Sequence, residues 1–229
     1  MEQSALLGLL QFSDGLFPAG GFAHSFGLES FVQSGSVRDA DGLRSFIETY
    51  LEGAAGPCDA VAVVSAMKFT GEKGIDQCLK LDRTLDAMKS VAEFRAASRQ
   101  MGRQSLRIAV NLFSCPLLSA IFECAESDRT PAHHALVFGL IGHRLGWPPE
   151  AAATAYLYST TSMLVGAALR LLPLGQLEGQ KVIWETAPTI RRLAREATEK
   201  NSDDLWSFIP AIEIAGMSHA TSAARLFRS

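Results

Sequence analysis

Apolar residues recur along this chain with the spacing of amphipathic helices, and no segment alternates apolar and polar residues as a half-buried strand does. Leu43, Phe46, Ile47 and Tyr50 fall three or four positions apart behind Asp39, whose side chain suits a helix N-cap. The pattern predicts an all-α fold for residues 1–229: a single helical domain of about eight to ten helices, bundle-like in its packing.

Proline and aspartate positions locate the other predicted helices, because both residue types favour the first turn. Asp59 is expected to open one helix, Gly102 to bend a long one, Pro188 to start or kink another, and Asp203 to cap the last. The predicted segments are 59–70, 75–113, 116–126, 131–145, 149–172, 176–186, 188–200 and 203–212.

Composition places the chain among globular proteins, with 48% apolar and 20% charged residues. A net charge of −3 argues against a general nucleic-acid binder. The apolar stretch 151–172 carries too many hydroxyls to cross a membrane, and predicts instead a central core helix or a dimer-forming helix. No basic leader precedes the first apolar residues, so we expect a cytoplasmic protein. Four scattered cysteines predict buried thiols: Cys58, Cys78, Cys115 and Cys124.

Two motifs near residue 20 invite a catalytic interpretation. Gly15 and Gly20 have phosphate-loop spacing, but Gly21 and Phe22 stand where lysine and a hydroxyl residue are required. We therefore interpret this segment as a glycine turn.

Residues 23–27, Ala-His-Ser-Phe-Gly, resemble a nucleophile elbow and leave open a serine hydrolase that uses Ser25. No parallel-sheet pattern follows, and capping of a short helix through Leu28 and Phe31 by His24 or Ser25 is favoured.

The five histidines show no metal-binding spacing, so the sequence predicts no preformed zinc or nickel site within one chain. One histidine from each of two protomers could still meet at a symmetry axis. His24 is the histidine to test, because it lies in the unusual segment near residue 20.

Arg95, Arg99, Arg103 and Arg107 fall four residues apart and form one stripe on a helix. Guanidinium groups suit carboxylate and phosphate partners. Two interpretations remain open: a surface that docks an acidic partner, or an ordinary helix face whose arginines pair within the chain.

The segment Arg225-Leu226-Phe227-Arg228-Ser229 sets two apolar side chains between two arginines. We expect an interaction tail over residues 217–229, without a core of its own, whose Leu226 and Phe227 become buried on a partner.

Three motifs together resemble the urease accessory protein UreF family. The first runs from Leu10 to Glu29 and includes Asp14, Pro18 and Gly20. The second is Tyr156-Leu157-Tyr158-Ser159 with the segment 168–180, and the third is Met217, His219 and residues 225–229. The similarity extends in order along the whole chain, so it implies a fold and a function for all of it.

The resemblance implies an all-helical, non-catalytic cytoplasmic protein that dimerises. It also implies a bridge between UreD (UreH in some organisms) and the GTPase UreG, docked on urease apoprotein, with nickel and GTP handled by these partners and no cofactor of its own. A helical regulator unrelated to urease is the other alternative. Candidate partner-binding residues are Asp14, Pro18, Gly20, His24, Ser25, Glu29, Arg95, Arg99, Arg103, His219, Arg225, Leu226, Phe227 and Arg228.

Overall fold

The computed structural model describes residues 1–69, 71–219 and 225–229, and in these residues it is all-helical without a strand. Residues 220–224 of the predicted interaction tail, and Thr70 at a predicted helix end, lie outside the described residues. The helices are α1 (Gln3–Ser13), α2 (Leu28–Gln33), α3 (Ala40–Tyr50), α4 (Val61–Ala66), α5 (Gly71–Met88), α6 (Ala92–Leu112), α7 (Pro116–Glu126), α8 (His134–Leu145), α9 (Pro149–Leu171), α10 (Gln176–Thr198) and α11 (Pro210–His219).

A π-helical segment, Leu51–Ala60, joins α3 to α4 in one continuous helix, so the described residues form ten helices. The predicted cap at Asp39 is confirmed, since its carboxylate accepts the Gly42 amide at 2.9 Å. The predicted helix start at Asp59 is wrong, because Asp59 lies inside the π-helical segment. Pro57, which has no amide to donate, lies in the same segment, where the wider turn accommodates it.

Helix α9 is the central helix, as its all-round apolar pattern predicts. It packs against α1, α2, α4, α8 and α10. Small side chains such as Ala152, Ala153 and Ala168 are fully buried and let these neighbours approach closely.

The predicted long helix 75–113 is two helices, α5 and α6, with a break at residues 89–91. Val91 is extended there, and the Lys89 side chain is largely buried, with its ammonium 2.8 Å from the Asp59 carboxylate. Gly102 lies within an uninterrupted α6. A Cβ at Gly102 would stand 1.9 Å from the Ala132 carbonyl oxygen, so glycine is required for this crossing of chain segments.

Predicted boundaries between residues 116 and 172 are confirmed within about three residues. The start of α8 is displaced to His134 because a buried carboxylate holds the preceding chain. Asp82 accepts the Ala132 amide at 2.6 Å, the His133 amide at 2.9 Å and the Thr130 hydroxyl at 2.5 Å.

Two predictions in the last third of the chain are wrong. Pro188 does not start a helix but lies inside α10, where a continuous buried stripe packs on α9; a kink at Pro188 stays a prediction. Tertiary packing therefore outweighs the penalty of about 3 kcal/mol for proline in a helix interior.

The last helix starts at Pro210 rather than at Asp203. The amides of Trp206 and Phe208 instead donate to the carbonyl oxygens of Pro57 and Gly53 in the π-helical segment, at 3.4 and 2.8 Å. Those bonds hold residues 205–209 in a non-helical segment before α11.

Candidate functional site at the junction of residues 23–29 and 225–229

The two segments that the sequence singled out lie side by side in the structure. Gly20 and Gly27 adopt positive φ angles of 93° and 86°, and Phe26 adopts φ 49°, which phenylalanine does only rarely. These turns direct the main chain of residues 23–26 toward residues 227–229. We call residues 23–29 the tail-binding site and residues 225–229 the tail segment.

Main-chain hydrogen bonds join the two segments. The amides of Ser25 and Phe26 donate to the Ser229 main-chain oxygen at 2.8 and 3.1 Å, and the Ser25 hydroxyl donates to it at 2.6 Å. The Arg228 amide donates to the Ala23 carbonyl oxygen at 2.9 Å. Ser25 and Ser229 are fully buried, so water cannot replace these bonds.

Glu29 holds the other half of the tail segment. Its carboxylate accepts the Leu226 amide at 2.7 Å, the Phe227 amide at 3.0 Å and the His219 Nε2 at 3.1 Å. Burial by itself raises the pKa of Glu29, but the two amides and the imidazole outweigh it and hold that pKa below the ordinary value. The carboxylate therefore stays ionised although it is buried.

His219 is a buried imidazole between two carboxylates. Its Nε2 faces Glu29, and its Nδ1 lies 2.8 Å from Glu93 Oε2. The second oxygen of Glu93 accepts from the Arg225 guanidinium at 2.9 Å. This network ties α2, α6, α11 and the tail segment together.

Phe227 is the apolar anchor of the tail segment, with only 4% of its surface exposed. The Arg170 guanidinium carbon lies 4.1 Å from the Phe227 ring centroid and 3.8 Å from that of Phe22. Arg170 also donates to the Phe22 carbonyl oxygen at 2.7 Å. Two cation–π contacts thus close the site over the anchor.

These contacts correct two expectations. The tail segment was expected to have no core of its own and to bury Leu226 and Phe227 on a partner, but Phe227 is buried within the fold, whereas Leu226 is 61% exposed. His24 or Ser25 was expected to cap α2. This is corrected only in part: the N-cap residue is Gly27 and His24 is engaged with Ser229, but the Ser25 hydroxyl does accept the Glu29 amide, in the first turn of α2, at 3.4 Å.

His24 binds the tail segment from a buried position. Its Nδ1 lies 3.0 Å from the Ser229 hydroxyl, and its Nε2 has no hydrogen-bond partner among the described residues. Burial lowers the pKa of His24, and the nearby positive charge of Arg228 lowers it further.

The geometry does not favour a serine hydrolase at Ser25, because that hydroxyl is buried and donates to Ser229 instead of a base. A serine–histidine–aspartate arrangement does occur elsewhere. His133 lies 3.0 Å from the Ser98 hydroxyl and 2.9 Å from Asp86. The cavity beside Ser98 has a volume of only about 30 Å³, too small for an organic substrate.

Asp14 and Pro18 lie apart from this junction. Both are exposed in the loop after α1, and the Asp14 carboxylate accepts the Leu16 amide at 2.9 Å. Neither residue has a hydrogen bond to the tail segment in the described part of the chain.

The arginine stripe lies on α6, and each of its members has a partner within the chain. Arg99 donates to Asp86 at 2.8 Å, and Arg103 to Asp128 at 2.9 Å. Arg95 reaches the Lys89 carbonyl oxygen at 3.2 Å, whereas Arg107 is only 4.0 Å from Glu126. This pairing favours the second interpretation of the stripe. Its docking to an acidic partner stays a prediction.

Sequence reasoning missed two residues that contribute to this junction, Glu93 and Arg170, which lie far from both segments in sequence. It also missed the buried Asp59–Lys89 ion pair, which lies outside the junction and joins positions 30 residues apart. Arg170 could have been singled out from the sequence, because it is a charged residue near the end of the otherwise apolar helix α9.

A second surface feature is an apolar groove between α1, α9 and α10. Its volume is about 870 Å³. Three large apolar side chains on it are exposed: Leu10 by 57%, Tyr158 by 46% and Trp184 by 81%.

Within the described ranges, no cluster of three histidine, cysteine, aspartate or glutamate side chains has a geometry suited to a metal ion. In the same ranges, no helix combines the length and apolar character needed to cross a membrane.

Comparison with known proteins gives a consistent result. The family model UreF matches residues 37–187. The urease accessory protein UreF of Paenarthrobacter aurescens (strain TC1) is 33% identical over 229 residues, covering all of both chains. That of Bacillus sp. (strain TB-90) is 30% identical over 224 residues, covering 98% of this chain and 99% of the relative. On these matches, together with its all-helical fold, the chain belongs to the urease accessory protein UreF family.

Proposed function

We propose that this chain is a non-catalytic helical scaffold for urease maturation. It bridges the accessory protein UreD (UreH) and the GTPase UreG, and so supports GTP-dependent insertion of nickel into urease apoprotein. Family membership supports a urease accessory role. Nickel is the cargo of this assembly. This chain lacks a phosphate loop, because Gly21 and Phe22 stand where the loop needs lysine and a hydroxyl residue, so the proposal assigns GTP binding to UreG.

Helix α11 carries the observation that supports partner binding most directly. Ile212, Gly216 and His219 form its buried stripe, spaced by four and three residues. Ile214 and Met217, on another face, are 64% and 52% exposed. A surface helix with apolar side chains on both faces is typical of a protein that docks to another.

Exposed apolar side chains flank this helix on both sides in sequence. Phe208 is 72% exposed just before α11, and Leu226 is 61% exposed in the tail segment. We call Phe208, Ile214, Met217 and Leu226 the α11 surface, and we propose that UreD binds there.

The UreD proposal is tested by an Ile214→Asp, Met217→Asp double variant. We expect this variant to lose co-purification with UreD and to keep its helical circular dichroism spectrum, because both side chains point to solvent. Leu112→Asp is the matched control, since Leu112 is 53% exposed near the end of α6. Undiminished capture of UreD by the double variant would exclude this surface.

A further inference from the structure

The tail segment is recognised in a way that resembles a bound peptide. Six of its hydrogen bonds to residues 23–29 use its main-chain amides or its main-chain oxygen, and a seventh joins the Ser229 hydroxyl to His24. Proteins commonly recognise peptides through hydrogen bonds to the peptide main chain, together with pockets that select particular side chains.

The site discriminates between the side chains of the tail segment. Phe227 and Ser229 are buried, at 4% and 0% exposure, whereas Leu226 projects into solvent. Arg225 reaches Glu93 across the mouth of the site. The ligand that this site selects is therefore a short peptide with a basic first residue, an aromatic third residue and serine in the fifth position.

We propose that the tail-binding site is a peptide-recognition site that also accepts this segment from a second copy of the chain. The contacts that hold the segment are hydrogen bonds, an ion pair and the burial of one aromatic ring, and none of them requires the covalent connection to α11. Two copies that exchange tail segments would make the same bonds as one copy alone, in the manner of a segment-swapped dimer. This inference does not depend on UreD binding.

The experiment uses the full-length chain and a fluorescent peptide, Arg-Leu-Phe-Arg-Ser, with binding read by anisotropy. In the wild type the resident segment competes with the peptide. In a Phe227→Ala chain that competition weakens, and we expect the peptide to bind about tenfold tighter or more. A Leu226→Ala chain is the matched control and should bind the peptide like the wild type, because Leu226 is exposed.

Two further arms test the recognition itself. Adding Glu29→Gln to the Phe227→Ala chain should weaken peptide binding, since Glu29 accepts two of the peptide amides. The peptide Arg-Leu-Ala-Arg-Ser should fail to bind, and Arg-Ala-Phe-Arg-Ser should bind normally. If Phe227→Ala lacks the helical spectrum, Phe227→Leu replaces it.

Equal peptide affinity for the wild-type and Phe227 variants would overturn the proposal. So would peptide binding that survives both Glu29→Gln and the loss of the peptide's phenylalanine. Co-purification of two differently tagged full-length copies, abolished by excess peptide, would support exchange between copies.

Discussion

At the residue scale, Glu29 shows how a charge is stabilised inside this fold. Its side chain is almost fully buried, yet four hydrogen-bond donors face it: the main-chain amides of Leu226 and Phe227, the His219 imidazole and the Gln33 side-chain amide. Hydrogen bonds to the charged form favour ionisation, which explains why the pKa of Glu29 is lowered despite burial.

The pH dependence of stability follows from this shift. Because the folded chain holds Glu29 at a lower pKa than the unfolded chain, its stabilisation is complete well above pH 4.5. It is lost as the pH falls from there through the folded pKa. We expect Glu29→Gln to reduce the free energy of unfolding by about 1–3 kcal/mol at pH 7 and by much less near pH 3. Urea unfolding at both pH values measures this difference.

Glu123→Gln is the control for that measurement, since Glu123 is exposed and its side chain has no partner among the described residues. A Glu29→Gln effect that is equally large at pH 7 and pH 3 would contradict the proposed role of the ionised carboxylate.

Phe227 is buried and the adjacent Leu226 is exposed, so we expect their substitution to affect stability differently. Phe227→Ala should lower the free energy of unfolding by about 1.5–3 kcal/mol, because a buried aromatic side chain is removed. Leu226→Ala should change it by no more than about 0.5 kcal/mol, because its side chain is exposed. Thermal melts of both variants provide the test, and equal melting temperatures would show that the tail segment does not stabilise the fold.

At the element scale, α6 illustrates how a charge stripe can belong to the fold. Arg99 and Arg103 tie α6 to α5 and to the loop before α8, through Asp86, Asp128 and the Pro131 carbonyl oxygen. Asp86 has a lowered pKa: burial would raise it, but hydrogen bonds from Arg99 and His133 outweigh that effect. The stripe therefore joins elements that are distant in sequence.

A charge reversal on α6 separates its structural role from a docking role. Arg99→Glu places a carboxylate against Asp86 and should lower the melting temperature by several degrees, since it removes a partner of a half-buried acid. Arg107→Glu should leave the melting temperature nearly unchanged, because Arg107 is 59% exposed and poorly paired. If both variants melt like the wild type and associate more slowly with UreG, the stripe is a docking surface instead.

At the scale of the whole molecule, the groove between α1, α9 and α10 is an apolar surface of about 870 Å³ that exposes Leu10, Tyr158 and Trp184. We propose that two copies of the chain pack there as a homodimer. Trp184→Asp should then shift the sedimentation coefficient from dimer to monomer, because it puts a charge in the centre of the interface. Trp206→Asp, at another exposed tryptophan, should stay dimeric, and dissociation of both variants alike would place the interface elsewhere.

The sequence by itself determined the helical class and most helix positions. Apolar periodicity and caps are local properties, so Asp39 and the prolines at 116 and 149 predict helix starts correctly. The motifs also indicated the family, and the family-model match over residues 37–187 confirms it.

Tertiary structure decided where these local signals are overruled and where distant residues meet. Pro188 stays inside α10 because packing on α9 outweighs the intrinsic penalty of proline in a helix. The predicted long helix is interrupted at residues 89–91, where the Lys89 side chain turns inward to pair with Asp59. The junction of Glu29, His219 and Phe227 joins positions about 190 residues apart. Hydrogen bonds and ring contacts between such positions depend on three-dimensional packing, so no local pattern could show that the tail segment is bound within its own fold.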